Sequence, residues 1–535
     1  MLFDKLVVSI AVVLVCLSNV EAKKRSVVQM ISDGFGPASE TLARDFLQVK
    51  EHKSWDSQLP LDKRLIGQIS TRSTDSFVTD SAASATAYSC GLKSVNGYIG
   101  VDVDAVPCGT ILEAAKAKDF HTALVTTSRV THATPASWSS HIYDRDLENE
   151  IAEQQLGNYT LGRQVDILWG GGRRQFVPKS VKGSSREDDI NLIKKAQQDG
   201  WTVVQNQTEF ETFKKGENVS FPSLGLFTMS HMAYEIDRVP EDEPSLTEMS
   251  IAALNALHKA DKPFFIMIEG ARIDHAGHNN DPVGHIYDII EYNKAFEAVS
   301  KWIDEHDTSD DEDGHEILLV STSDHECGGL ALSWQRPEDK TGEYAFYPDA
   351  LLKAKHSTEY LADLAFSKIR NDTSDARFKY MKEEIVEKNL GVHDVSDDEI
   401  NRAVELLGEE DIVPLTLWLS SILNWRAQLD WSSDGHSGVD VNLYMHQKHP
   451  KKEVLDEFRG NHVNTWIANF TQRYLDLDLD SVSRKLNHGN SSVPGSGSSN
   501  HSTPTGAYKH TVNRVVMPDP FHNGRGRRSH FGRHD

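Results

Sequence analysis

The chain has 535 residues, of which 56 are Lys or Arg and 80 are Asp or Glu, so its formal net charge is −24 at pH 7. This acidic balance argues against general nucleic-acid binding by the main body, and the length allows a large buried core. The charge is uneven, because residues 481–535 contain 8 Lys and Arg against 2 Asp and Glu.

The amino terminus predicts secretion. Residues 6–17 are almost entirely apolar, and Val20-Glu21-Ala22 offers a cleavage site with small residues, so residues 1–22 are predicted to be a signal peptide. The apolar run is too short for an ordinary membrane span, and no other stretch of the sequence reaches the ~20 apolar residues required. Seven Asn-x-Ser/Thr sequons support a secreted glycoprotein. They are Asn158, Asn206, Asn218, Asn371, Asn469, Asn490 and Asn500.

From residue 25 to residue 330, strand and helix patterns alternate, which favours an α/β fold. The predicted strands are 27–32, 65–70, 121–127, 165–169, 201–205, 264–268 and 316–322. The predicted helices are 81–89, 110–118, 186–199, 245–260 and 282–306. Several strands are short continuous apolar runs, which are typical of parallel sheets covered on both faces. We therefore expect a large, mostly parallel central β-sheet flanked by helices.

Helical patterns dominate residues 331–430, and few strands are evident there. We interpret this segment as a cap-like insertion within a catalytic domain of residues 23–480. Residues 481–535, rich in Ser, Gly, His and Arg, are predicted to be a disordered basic tail. Its Arg525-Gly526-Arg527-Arg528 run suits either a processing site or contact with an acidic surface or matrix. We find no apolar carboxyl-terminal segment of the type that a GPI signal needs.

Three cysteines remain after the signal peptide: Cys90, Cys108 and Cys327. An odd number leaves at least one thiol unpaired or in an intermolecular bond. A Cys90–Cys108 disulfide is one pairing that the sequence leaves open.

Three of the apolar strands end on side chains that bind metal ions. Ligands gather at the carboxyl ends of strands in open α/β sheets, so these side chains should converge on one polynuclear site. A single Asp, Glu or His of this kind is more often structural than a metal ligand. The prediction of a metal site therefore depends on their shared placement at the strand ends. Oxygen and imidazole ligands suit a catalytic Zn²⁺ site, and an oxygen-only subsite suits Mg²⁺. The side chains are Asp33 after the first strand, Glu269, Asp274 and His278 after the second, and Asp324 and His325 after the third.

A run of small residues from Thr79 to Ala87 lets a helix begin close to its surroundings. Ser81, near the amino terminus of that helix, would meet the helix dipole and free backbone N–H groups, which favour an anion. Two interpretations stay open. Ser81 could be a simple N-cap, or a nucleophile whose pKa is lowered by a neighbouring metal ion.

Five motifs, in this order, resemble those of the alkaline phosphatase family over about residues 27–444. They are Asp33-Gly34-Phe35-Gly36; Asp80-Ser81-Ala82-Ala83-Ser84-Ala85-Thr86-Ala87; Glu269-Gly270-Ala271-Arg272-Ile273-Asp274 with His278; Ser323-Asp324-His325; and Gly435-His436. The resemblance implies metal-dependent hydrolysis of phosphate monoesters to an alcohol and inorganic phosphate, through a phosphoserine intermediate.

The resemblance also implies a role for individual residues, at a site with two zinc ions and one magnesium ion. They are Ser81 as nucleophile; Arg145 and Asp80 in substrate binding; Asp274, His278 and His436 at the first zinc; Asp33, Asp324, His325 and Ser81 at the second zinc; and Asp33, Glu269 and Thr134 at magnesium. Without the resemblance, Arg145 would be interpreted as a surface ion-pair residue.

His132 and His275 stand where some bacterial members have Asp and Lys, so the resemblance is to the animal-type, secreted enzymes. Both histidines would lie behind the direct ligands. An imidazole at His132 could make the third site favour zinc over magnesium. The resemblance also implies a homodimer, although the mature chain would begin almost at the first strand and leave little of the amino-terminal arm that helps family dimers.

Three alternatives fit part of this pattern: a phosphodiesterase, a sulfatase, or an inactive protein that binds metal or mineral. Arg145, Thr134 and Glu269 argue against a diesterase with only two zinc ions. The lack of a Cys/Ser-x-Pro-x-Arg motif at Ser81 argues against a sulfatase. The complete ligand set and the nucleophile argue against an inactive protein. We expect small phosphate monoesters as partners and no nucleic acid.

Overall fold

The computed structural model describes residues 23–336 and 340–488, so the predicted signal peptide and residues 489–535 of the predicted tail lie outside the described residues. The strands are β1 (Lys24–Ser32), β2 (Leu65–Ser70), β3 (His121–Arg129), β4 (Ile167–Gly171), β5 (Thr202–Val204), β6 (Ser223–Leu226), β7 (Phe264–Gly270), β8 (His315–Thr322), β9 (Glu326–Cys327), β10 (Leu330–Ala331), β11 (Asp430–Trp431), β12 (His436–Ser437), β13 (Val441–His446) and β14 (Gly460–Val463).

Helices flank these strands. They are α1 (Pro37–Lys50), α2 (Ser81–Cys90), α3 (Ile111–Ala117), α4 (Ala133–Ala136), α5 (Glu148–Gln155), α6 (Leu192–Gln198), α7 (Gln207–Glu211), α8 (Leu246–Lys259), α9 (Arg272–His278), α10 (Pro282–His306), α11 (Thr358–Ile369), α12 (Ser374–Tyr380), α13 (Asp397–Leu406), α14 (Val413–Ala427), α15 (Lys452–Phe458), α16 (Thr465–Leu475) and α17 (Leu479–His488). A π-helical segment, Met381–Leu390, joins α12 to α13.

Ten strands form one sheet in the order β14-β2-β13-β8-β1-β7-β3-β4-β6-β5. Every neighbouring pair is parallel except the two pairs that involve β13. The prediction of a large, mostly parallel sheet is therefore confirmed. Because β1 lies between β7 and β8, the three strands that end on predicted ligands are direct neighbours.

The central strand β1 is buried on both faces, as its continuous apolar run predicts. Val27 and Ile31 pack into the hydrophobic core on one side of the sheet. Val28 and Met30 pack into the core on the other side. Helices cover both cores, so β1 is buried from Ser26 to Ser32, where it ends.

The predicted helical insertion is present, and helices α11 to α14 make up most of it. These helices share a separate hydrophobic core, which includes Leu361, Ile385 and Leu419. The same core takes in Phe46 of α1 and Ile286 of α10. The insertion is therefore packed onto two helices of the main sheet rather than projecting from it.

Several elements differ from the sequence prediction, and three of them lie within residues 25–330. Helix α1 and the short strand β6 were not predicted, and the helix predicted at 186–199 is helical only over Leu192–Gln198. In the segment before α6, the Arg186 guanidinium donates to Asp188 at 2.7 and 2.6 Å, and Asn191 caps the helix. These local polar contacts replace the first turns of the predicted helix.

Cys90 and Cys108 form a disulfide, and Cys327 is a buried free thiol. The boundary of the predicted tail also changes, because α17 continues to His488 and buries Val482 and Leu486. Residues 481–488 are thus helical. None of the described helices combines the length and apolar character needed to cross a membrane.

Acid should weaken the fold through His285, which is fully buried on α10. Its Nδ1 donates to the Ile273 carbonyl and its Nε2 accepts from Ser39, both at 2.8 Å. Burial lowers the pKa of His285 from 6.5 to about 4. The unfolded chain therefore takes up this proton first, and stability is lost as pH falls below about 6.5.

We expect the wild-type protein to lose about 2 kcal/mol more unfolding free energy between pH 7 and pH 5 than a His285→Gln variant loses. Urea unfolding at the two pH values measures the difference. A His393→Gln variant, altered at an exposed histidine of the insertion, should keep the wild-type pH dependence. Equal losses in wild type and His285→Gln would contradict this assignment.

Candidate active site

The carboxyl ends of β1, β7 and β8 bring the predicted ligands together. Ser32 of β1 lies opposite Gly270 of β7, and Ile31 lies opposite Thr322 of β8. Asp33 follows directly, and its backbone N–H donates to the Gly270 carbonyl at 3.2 Å. The strand register therefore produces the convergence that the sequence pattern predicts.

Four carboxylates are buried at this point: Asp33, Glu269, Asp274 and Asp324. Burial first, and then the charges of the other three, raise the pKa of Asp33 well above its usual value. Each of the four has at least one buried oxygen without a hydrogen bond. Buried carboxylates without partners are costly. The cluster therefore fits bound cations, whose charge would offset both the burial and the repulsion.

Two imidazoles face Asp274. The Nδ1 atoms of His278 and His436 donate to the carbonyl oxygens of Asp434 and Thr79, at 2.6 and 2.7 Å. This fixes the tautomer and leaves both Nε2 atoms as acceptors, 3.1 Å from each other. They lie 3.3 and 3.5 Å from the Asp274 carboxylate. Imidazoles oriented in this way by a carbonyl are typical of metal ligands.

Cys327 belongs to the same group, and sequence reasoning missed it. The ligand atoms of Asp274, His278, His436 and Cys327 all lie within 4.8 Å of one another. The pairing of β9 with β12 places Cys327 directly opposite His436. Its position two residues after His325 was the signal that the sequence offered.

A second group surrounds His325. Its Nε2 lies 3.0 Å from Ser81 Oγ, 3.1 Å from Asp324 Oδ2 and 3.5 Å from Asp33 Oδ1. The four side chains predicted for a second metal ion are thus gathered around one ring nitrogen. Ser81 has its hydroxyl directed at this group rather than at its own helix.

Glu269 lies in a setting that contains only oxygen donors. Its Oε2 accepts hydrogen bonds from Thr126 and Ser128, at 2.5 and 3.3 Å. Burial raises the pKa of Glu269 to about 7, while the hydroxyls of Thr126 and Thr134 act in the opposite direction. Thr126 and Ser128 were not predicted, although they end β3, the neighbour of β7. The setting suits a hard cation such as Mg²⁺.

The helix α2 presents Ser81 at its first turn. Asp80, not Ser81, is the N-cap, because its Oδ1 accepts from the Ala83 N–H at 2.9 Å. The interpretation of Ser81 as a simple N-cap is therefore wrong. Ser84 and Tyr88 donate to the carbonyl oxygens of Asp324 and Ser323, at 2.8 and 2.6 Å. These two bonds tie the helix to the end of β8.

Arg145 points into the site, and its side chain is only 14% exposed. Its Nη1 donates to Asp80 Oδ2 and its Nη2 to His132 Nε2, both at 3.1 Å. Asp80 Oδ2 also accepts from the Gly97 N–H at 2.8 Å. The alternative of a surface ion pair is therefore wrong for Arg145.

Three histidines, His132, His231 and His275, pack edge to face behind Arg145, with ring centroids 4.1 to 5.5 Å apart. Burial first, and then nearby arginines, lower the pKa of all three, so they are neutral. Each ring accepts a hydrogen bond from a guanidinium. The pairs are Arg145–His132 at 3.1 Å, Arg272–His275 at 2.9 Å, and Arg129–His231. His231 was not predicted, because it lies between β6 and α8, outside the motifs.

The fold and the site define a class of protein: an α/β enzyme with a serine beside clustered metal-ligand side chains. The family model described as alkaline phosphatase matches residues 24–477. The chain is 43% identical to the repressible alkaline phosphatase of Saccharomyces cerevisiae, over 87% of this chain and 84% of the yeast protein. The chain belongs to the alkaline phosphatase family, and it is a phosphoric monoester hydrolase.

Solved structures agree with this assignment. A cold-active alkaline phosphatase from the psychrophile Shewanella sp. superimposes with a TM-score of 0.68 at 28% identity, covering 84% of this chain and 99% of that one. The Thermus thermophilus alkaline phosphatase gives 0.69 at 26% identity, covering 86% and 93%. Both support the assignment of the fold.

The chain is less similar to the animal enzymes than to the yeast protein. The human tissue-nonspecific alkaline phosphatase is 31% identical, over 56% of this chain and 63% of the human protein. The yeast relative is matched over a larger share of the chain at higher identity. The family is established, and the comparisons do not single out the animal type.

Neutralising one buried carboxylate should change the free energy of unfolding in opposite directions in the cation-free and the untreated protein. After treatment with a chelator and dialysis, we expect Glu269→Gln to raise the free energy of unfolding by roughly 1–3 kcal/mol, because an unpaired buried charge is removed. In the untreated protein the same change should lower stability, because a cation loses a ligand. Urea unfolding of both forms measures the two effects.

The matched control is Glu291→Gln. Glu291 is also buried, but it accepts from Thr247 at 2.7 Å, outside the cluster. Replacing Glu291 should change the free energy of unfolding in the same direction in the cation-free and the untreated protein. A Glu269→Gln variant that lowered the stability of the cation-free protein as well would contradict this prediction. Repulsion between the carboxylates would then not explain why the cluster favours cations.

Proposed function

We propose that this enzyme hydrolyses phosphate monoesters through a phosphoserine at Ser81, with metal ions held by the buried carboxylates and imidazoles. One observation carries the proposal. Ser81 Oγ lies 3.0 Å from His325 Nε2, within a group that includes Asp33 and Asp324. A serine at a helix terminus becomes a nucleophile when neighbouring positive charge lowers its pKa.

The donor atoms support two zinc ions and one magnesium ion. Sites that mix imidazole and carboxylate suit zinc, and the oxygen-only setting of Glu269 suits magnesium. The third site could take zinc instead, since His132 lies nearby. The proposed ligands are Asp274, His278 and His436 for the first zinc; Asp33, Asp324, His325 and Ser81 for the second; and Asp33, Thr134 and Glu269 for magnesium.

Bound cations would supply positive charge that lowers the pKa of the serine hydroxyl and stabilises the departing oxygen. Ser81 Oγ loses its proton to solvent and attacks phosphorus, the bond from phosphorus to the alcohol oxygen breaks, and that oxygen gains a proton from water. Water then attacks the phosphoserine and loses a proton, the bond from phosphorus to Oγ breaks, Oγ regains a proton, and inorganic phosphate leaves.

Arg145 would bind the phosphate in both steps, because its planar fork can donate to two phosphate oxygens. Asp80 holds one arm of the guanidinium and caps α2 with its other oxygen. The same carboxylate thus aligns the nucleophile and the phosphate-binding group. The dipole of α2 adds a favourable charge for an anion at Ser81.

We also propose that the mature protein is secreted and glycosylated, as the signal-like amino terminus and the sequons indicate. His132 and His275 support the proposed animal-type character, since both lie in the imidazole group behind Arg145. The basic tail would contact an acidic surface or matrix, and nucleic acid is not an expected partner of the acidic body.

A homodimer is proposed as well, and exposed apolar residues beside the site support it. Phe77 is 84% exposed, and Val78 and Val439 are also exposed. A Cβ atom built at Gly438 would lie 3.3 Å from the carbonyl oxygen of Phe77, so the two loops touch. Exposed apolar patches of this kind mark protein interfaces.

Turnover of 4-nitrophenyl phosphate should greatly exceed that of bis(4-nitrophenyl) phosphate and of 4-nitrophenyl sulfate, and a chelator should abolish it. Equal or faster diester or sulfate turnover would favour the alternative hydrolases. Ser81→Ala should lose on the order of 10³-fold or more in kcat, because the covalent route is removed. Acid-quenched wild-type protein should carry labelled phosphate on Ser81, and the variant should carry none.

Phe77→Ser should weaken the dimer, because it removes a large apolar side chain from the proposed interface. Sedimentation over a range of protein concentrations measures the association. Trp55→Ser is the matched control, since Trp55 is equally exposed at 84% but lies beyond the end of α1. A monomeric wild-type protein, or a Phe77→Ser variant that associates as wild type does, would contradict this interface.

A further inference from the structure

The helical insertion contacts α9, the helix that carries the proposed ligands Asp274 and His278. The contact is an ion pair between Glu359, in the first turn of α11, and Arg272, the first residue of α9. Arg272 Nη2 donates to Glu359 Oε1 at 2.8 Å. Arg272 is 4% exposed, so its charge depends on this partner in a poorly solvated setting.

Both oxygens of Glu359 are used. While Oε1 accepts from Arg272, Oε2 accepts from the Tyr234 hydroxyl and from Asn279 Nδ2, both at 3.1 Å. The guanidinium of Arg272 also lies over the Tyr234 ring, 3.8 Å from its centroid. Tyr234 and Asn279 therefore hold the ion pair in place, although the Glu359 side chain is 36% exposed.

Arg272 also contacts a histidine that lies closer to the proposed phosphate site. Its Nη1 donates to His275 Nδ1 at 2.9 Å. The His275 ring lies 5.5 Å from that of His132, which accepts from Arg145 at 3.1 Å. A continuous series of contacts therefore joins Glu359 of the insertion to Arg145.

The insertion also holds the turn that follows α9. Ser420 Oγ donates to the Asn279 carbonyl and Asn424 Nδ2 to the Asn280 carbonyl, both at 2.8 Å. The Thr358 N–H donates to Asp281 Oδ2 at 2.7 Å. The three residues after His278 are thus each bonded to the insertion, which leaves α9 little freedom to shift.

We propose that Glu359 is a positioning residue for the metal centre: it fixes Arg272 and, with the bonds to the following turn, sets the place of Asp274 and His278. The helical insertion thereby contributes to metal retention without supplying a ligand. This inference rests on the proposed metal-dependent function. Groups that orient the direct ligands commonly change metal affinity by about 10–100-fold when they are replaced.

The experiment uses the full-length protein loaded with zinc and follows zinc release into a colorimetric chelator. We expect Glu359→Gln to release zinc about 10-fold faster than wild type, or more. Glu359→Asp keeps the charge, so its release rate should lie closer to that of wild type. Release of zinc is measured without substrate, so loss of activity by another cause cannot mimic the result.

The matched control is Glu399→Gln. Glu399 also lies in the first turn of an insertion helix and pairs with Arg426 at 3.0 Å, but within the insertion only. Its replacement should weaken the insertion and leave zinc release at the wild-type rate. Equal acceleration in Glu359→Gln and Glu399→Gln would overturn the proposal, because general loosening would then explain both.

Two further outcomes separate this inference from the proposed function. A wild-type protein that holds zinc, with a Glu359→Gln variant that releases it at the same rate, would overturn the positioning role alone. A wild-type protein that binds no zinc would overturn the proposed function together with this role. If Glu359→Gln fails to fold, Ser420→Ala, which removes one bond to the turn, should still release zinc several-fold faster than wild type, and an unchanged rate would overturn the proposal.

Discussion

The structure depends on the placement of four carboxylates in a buried space where their charges repel one another. Asp33, Glu269, Asp274 and Asp324 come from the ends of three neighbouring strands and from α9, and each keeps an oxygen without a hydrogen bond. Selection for stability alone would not bring these four carboxylates together. The surrounding elements are arranged to keep the carboxylates close together. Gly34, for example, adopts a φ of +77°, and a Cβ there would lie 2.5 Å from Asp274 Cα.

Polar side chains around this cluster connect Arg145, the proposed phosphate-binding group, to the helix that carries Ser81, the proposed nucleophile. Asp80 caps α2, accepts from the Gly97 N–H and receives Arg145. The neutral histidines behind Arg145 accept from guanidinium groups instead of adding positive charge. These imidazoles therefore add no positive charge beside Arg145.

Much of the fold could be predicted from the sequence, because β1, β7 and β8 are apolar runs that need cover on both faces. The ligands directly after them followed from the same pattern. Strand β6 was missed because it is only four residues long and contains a glycine. His231, Cys327 and Glu359 were missed for another reason. His231 and Glu359 lie in segments without a motif, and Cys327 comes just after one, so only the packing of distant elements shows what each of them contacts. Whether Ser81 is the N-cap also required coordinates, since Asp80 and Ser81 are adjacent and either could have been the cap.

The base of the helical insertion is closed by two short antiparallel pairs, in which Cys327 lies opposite His436 and Leu330 lies opposite Trp431. The chain leaves the ten-stranded sheet at Thr322 and rejoins it at Val441, and the β9–β12 pair holds the two ends of the intervening segment side by side. The length of the intervening segment therefore has no influence on the separation of His325 and His436. Relatives could exchange the whole segment for one of another size, provided that the replacement restores the contacts to Arg272 and to the turn after His278. A replacement would also have to cover Phe46 of α1 and Ile286 of α10, which share a core with the insertion.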